Sequence, residues 1–169
     1  MIVNKVAESA LITIDLEELL PKEDVVLFDL KDFLFMGLIV KEKEFRESLL
    51  NTDLEQYRNK TVLVVCSTEA IIPMWAFMLL AAQLQPVVKE LFLGSVEEWK
   101  KLKLLEAIAN IDISKYKDQR IVIKGCGNNP LPEAAYMEIT KRLRPVAKSI
   151  FYGEPCSTVP IFKQPKSIV

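Results

Sequence analysis

The 169-residue chain contains no histidine. That absence removes Ser-His-Asp and Cys-His nucleophile pairs. It also removes Cys₂His₂ zinc sites, HExxH sites and facial triads. Any proton transfer falls to Asp, Glu, Lys, Tyr or Cys. There is no basic block, and the formal net charge is −1, so no nucleic-acid partner is expected. No apolar run is long enough to span a bilayer; the longest, 71–82, is interrupted by Pro73, so no membrane partner is expected. The first residues, MIVNKVAESALITIDLEEL, meet acidic side chains too early for a signal peptide, and a cytoplasmic location is expected. There is no CxxC pair, so the zinc-ribbon and thioredoxin spacings are missing. Three cysteines do not make a disulfide framework, and reduced thiols are expected.

What is present reads as one α/β domain over 1–169. Half the residues are apolar and 27% are charged. Residues 45–95 align with 104–154 at a constant shift of 59 without a gap. Identical pairs include Asp53/Asp112, Tyr57/Tyr116, Pro73/Pro132, Met78/Met137, Pro86/Pro145 and Gly94/Gly153. A run of this kind points to duplication of one βαβ-containing unit. In each copy a β-branched strand (61–66, 120–125) leads through a loop to a helix (73–84, 132–143). Each helix is followed by proline and then a strand (88–94, 148–153). A strand at 25–30 and a helix at 40–51 come before the first copy. A helix over 96–111 joins the copies, with Trp99, Leu102, Leu105 and Ile108 on one face. This alternation predicts a three-layer fold around one mainly parallel sheet. Helix 73–84 is apolar nearly all round. That predicts burial on more than one side, within the chain or in a homodimer formed through this helix.

Each cysteine falls at or just past the carboxyl end of a predicted strand: Cys66, Cys126 and Cys156. In a parallel sheet these ends share one edge, where α/β domains bind ligands. Three thiolates suit a soft metal or cluster, with Glu154 or Glu69 as an oxygen ligand or proton acceptor. Ser67, Thr68, Ser157 and Thr158 can donate hydrogen bonds to thiolates or sulfide. Gly125 and Gly127 let the backbone approach a cluster or substrate closely. Helix amino termini at 73 and 132 favour a nearby thiolate. Two other readings stand beside this one: inert buried thiols, and a single reactive thiol for sulfur transfer or redox exchange. The Asp29/Asp32 pair after strand 25–30 reads as turn and cap chemistry.

The segments KDFLFMGLIVKEKEFR, CSTEAIIPMWAFM, KGCGNNPLPEAAY and GEPCSTVPIFK resemble the bacterial domain of unknown function 2480 family over nearly the whole chain. The family has no established activity, so it supplies no catalytic residue. Through gene neighbourhood with iron–sulfur cluster assembly, the resemblance implies handling of iron, sulfide or clusters, with iron–sulfur assembly proteins as partners. The cofactor implied is an iron–sulfur cluster or zinc. A lesser likeness to a rhodanese half-domain runs from Cys66 to FLGSVEEWK, but STEAII lacks the cationic residues of a rhodanese loop. The readings to be distinguished are therefore an accessory iron–sulfur factor, a thiol-dependent sulfur-transfer or redox enzyme, and a non-catalytic interaction module.

Overall fold

A computed structural model describes residues 11–124, 127 and 130–165. The chain divides into two compact units: one of residues 1–21 and 100–169, the other of residues 22–99. The alternating strands and helices form as expected, but the strands make two sheets rather than one.

The unit of residues 22–99 holds three parallel strands in the order β2 (Val25–Asp29), β3 (Thr61–Val65), β4 (Glu90–Leu93). Its helices are α1 (Glu42–Asn51) and α2 (Met74–Leu84). β3 is a continuous β-branched run and is buried on both faces, as its lack of alternation requires. Val62 and Val64 join Phe28, Phe45, Leu49, Ala76, Leu80 and Leu84 in one core. Phe33 stacks on Phe28 at 5.1 Å between centroids and meets Phe45 edge-on at 5.7 Å. Pro73 precedes the first turn of α2, where its missing N–H costs nothing. The helix is not buried all round: Ala76, Leu80 and Leu84 face the core, whereas Met74 and Met78 are 73% and 72% exposed. Its even hydrophobicity therefore does not report even burial.

The other unit holds β1 (Leu11–Asp15), β5 (Arg120–Lys124), β6 (Ser149–Glu154) and β7 (Ser157–Lys163), in that order across the sheet. β1, β5 and β6 run parallel, and β7 pairs antiparallel with β6. The single-sheet expectation fails: β1, where no strand was predicted, pairs with β5, and β1, β5, β6 and β7 form a sheet of their own. α3 (Val96–Ala109) contributes Leu104 and Ile108 to this unit's core, and α4 (Glu133–Leu143) contributes Ala135, Ile139 and Leu143. The α3 stripe differs from the predicted one: Leu104 is buried and Leu102 is 39% exposed.

The two units share local detail at the 59-residue spacing. Asp53 and Asp112 each cap a 3₁₀ turn, accepting from Glu55 N–H and Ser114 N–H at 3.1 Å. Asn59 and Asp118 both take left-handed φ, 58° and 59°, and their N–H groups donate to the carbonyls of Val87 and Val146. Asn and Asp tolerate that region better than other non-glycine residues. Ala76, Leu80 and Leu84 are matched in burial by Ala135, Ile139 and Leu143.

Candidate functional site

Asp15 closes β1, Lys124 closes β5 and Glu154 closes β6, so the carboxyl ends of three neighbouring strands present three charged side chains together. Lys124 Nζ lies 3.5 Å from Asp15 Oδ2 and 3.8 Å from Glu154 Oε1. Glu154 and then Asp15 hold the Lys124 ammonium above its usual range, with a smaller contribution from Glu17. Asp15 Oδ1 also accepts from the Glu17 N–H at 2.9 Å, which caps the 3₁₀ turn Leu16–Leu19. Gly127 packs against that turn: a Cβ there would meet the Glu17 carboxylate at 2.1 Å. The close approach at Gly127 is thus made by a carboxylate of its own unit.

Cys126 and Gly125 lie outside the described residues. Their described neighbours are Lys124, in contact with Asp15 and Glu154, and Gly127, against Glu17. Cys156 is exposed at the tip of a two-residue hairpin, Pro155-Cys156, between β6 and β7. Proline suits the second position of such a turn. The residues after strand 148–153 are therefore not a free tail. Ser157 pairs with Glu154, and Thr158 pairs with Gly153. Gly153 has φ 118°, and a Cβ there would meet the Ser157 carbonyl oxygen at 2.6 Å, so the hairpin requires glycine.

In the unit of residues 22–99 the equivalent edge is built around Asp29, which closes β2. Its Oδ1 accepts from Lys31 N–H at 3.0 Å and from Ser67 N–H at 3.1 Å. Partial burial pushes this carboxyl up. The Ser67 side chain, the Lys31 and Ser67 amides and the Lys31 charge outweigh it and hold the group down at about 2. Asp29 thereby ties the loop after β3 to the end of β2. In that loop Cys66 is half-buried and its Sγ–H donates to the Thr68 carbonyl at 3.2 Å. Ser67, Thr68 and Glu69 are exposed. The predicted cap role of Asp29 holds.

Among the described residues, no group of three or more Cys, Asp or Glu side chains is placed to hold a metal ion. The structure brings Lys124, Asp15 and Glu154 together in the one unit and Asp29 with Ser67 in the other. Lys124, Asp15 and Glu17 are the site residues that sequence reasoning missed. The available signal was Lys124 directly ahead of GCG and Asp15 at the end of an apolar pentapeptide.

Fold and site together define an α/β protein whose two parallel-stranded units carry polar and thiol-bearing loops at their strand ends. The chain belongs to the family described as "Protein of unknown function (DUF2480)", whose family model matches residues 1–164. Neither a curated protein nor a solved structure matches it. Among the described residues no helix is long and apolar enough to cross a membrane.

Proposed function

We propose that the carboxyl edge of β5 and β6 is a thiol site through which the protein takes up and passes on a soft metal ion or an iron–sulfur cluster, as an accessory factor in cluster assembly. Cys126 and Cys156 are its ligands, and Glu154 supplies an oxygen donor. The observation that carries this reading is the Lys124–Glu154 contact at 3.8 Å. Cys126 lies two residues beyond Lys124, and Cys156 two residues beyond Glu154. Thiolate and carboxylate donors suit zinc and iron, and the Lys124 ammonium offsets the negative charge that such ligands gather. A short set of protein ligands leaves a coordination position for a donor or acceptor protein.

Anaerobic reconstitution with ferrous iron and sulfide, or with zinc, followed by elemental analysis of the desalted protein, tests this. The wild-type chain retains metal in stoichiometric amount, and Cys126→Ser and Cys156→Ser each lose it. A wild-type protein that retains none, or single variants that retain it in full, contradicts the proposal.

We also infer that the two units arose by duplication; the shared caps, left-handed residues and buried helix positions at the 59-residue spacing support it. The homodimer through residues 73–84 finds support in the exposed Met74 and Met78, which lie one turn apart on α2.

A further inference from the structure

The opposite end of the β5–β6–β7 sheet has a different character. A groove of about 710 Å³ opens there, lined by Arg120, Lys148, Ser149, Phe151, Phe162 and Lys163, with flanking prolines. Strand register brings the cations together: Arg120 pairs with Ser149, Ser149 pairs with Lys163, and Lys148 precedes Ser149. Adjacent strands lie about 4.8 Å apart, so Arg120 and Lys163 start from backbone positions about 10 Å apart. Among the described residues no carboxylate lines the groove, and none of these three cations makes an ion pair. Like charges gathered at one end of a sheet repel one another. In a chain of net charge −1, this row is not the by-product of a basic composition.

We propose that this groove binds a small phosphorylated ligand carrying a flat ring, of mononucleotide size, with its phosphates on Arg120, Lys148 and Lys163 and its ring against Phe151. The guanidinium fork matches a phosphate edge, and the two ammonium groups act as point charges beside it. Phe151 is half-buried, and Arg144 lies over the Phe162 ring with its guanidinium carbon 4.4 Å from the centroid, which fixes the Phe162 wall. The volume lies within the range of about 300–1,000 Å³ usual for small-molecule sites. Three cations in one short row suit a diphosphate or triphosphate. A nucleic-acid strand needs a longer basic track, and the chain has no basic block. The groove borders the amino ends of β5 and β6, so it is independent of the thiol edge.

Calorimetric titration at low salt with ADP, inorganic phosphate and a short oligothymidylate tests the assignment. Full-length protein binds ADP with submillimolar Kd and phosphate at least tenfold more weakly. The variant Arg120→Gln/Lys148→Gln/Lys163→Gln loses tenfold or more for both while keeping its melting temperature, since all three side chains are exposed. Phe151→Leu weakens ADP and leaves phosphate unchanged. Absence of ADP binding, ADP binding indifferent to the triple substitution, or an oligothymidylate that binds more tightly than ADP overturns the proposal.

Discussion

Replacing Asp29 separates the energetics of the Cys66 loop from the rest of the protein. In the folded chain the Asp29 carboxyl is lowered from 3.8 to about 2. At about 1.36 kcal/mol per pKa unit the full shift corresponds to about 2.4 kcal/mol. The side chain is 18% exposed at a turn open to solvent, so screening reduces this to about 1 kcal/mol. Because the folded value is depressed, this stability is present above pH 3.8 and is lost as pH falls through 2. Asp29→Ala also leaves the Lys31 and Ser67 N–H groups to water, for a total cost of about 1–2 kcal/mol at pH 7. In a chain of this length that lowers the melting temperature by about 2–8 °C. Asp29→Asn keeps an acceptor oxygen and costs less. The assay is urea unfolding of the three proteins at pH 7 and at pH 2.5. The gap between wild type and Asp29→Ala is full at pH 7 and shrinks at pH 2.5. A second readout is the alkylation rate of Cys66 in a Cys126→Ser/Cys156→Ser background, which rises in Asp29→Ala as the loop loosens. Equal stability at pH 7, or a gap that does not change with pH, would mean that the Asp29 carboxylate does not hold this loop.

Phe45→Ala removes the ring that Phe33 and Trp75 both meet edge-on, at 5.7 and 6.1 Å, from a fully buried position. It destabilises by about 3–5 kcal/mol in denaturant titration. Met74→Lys/Met78→Lys, at two exposed positions, converts a wild-type dimer into a monomer in sedimentation velocity with no loss of helical signal. A monomeric wild type, or a double variant that stays dimeric, contradicts the helix α2 interface.

Most elements were legible in the sequence because their signals are local. Strand 61–66 and helix 73–84 are found within a residue of their ends, as β3 and α2. The strands that escaped notice are β1 and β7. β1 is five residues long, and its partner β5 lies more than a hundred residues away in the chain. β7 contains Pro160, which demotes a run to an edge strand, the place where β7 sits. The division into two sheets follows from the same long-range pairing, which no local pattern encodes. Helix faces were harder. Leu102 and Leu104 are both apolar and two positions apart, and packing rather than hydrophobicity selected Leu104. Of the candidate site, the strand-end placement of Cys66 was legible. The Lys124–Asp15–Glu154 cluster was not, because charged residues end many strands and only register shows that these three meet.

The proposed thiol site at the β5–β6 edge requires Cys126 and Cys156 to lie side by side, and a zero-length cross-link reads that out. The Cys66→Ser chain, treated with diamide at low protein concentration and digested, is analysed by mass spectrometry for a Cys126–Cys156 disulfide, which forms only when the two Cα atoms come within about 7 Å. This intramolecular bridge is the expected main product. Recovery of both thiols unbridged, each still open to alkylation, contradicts it.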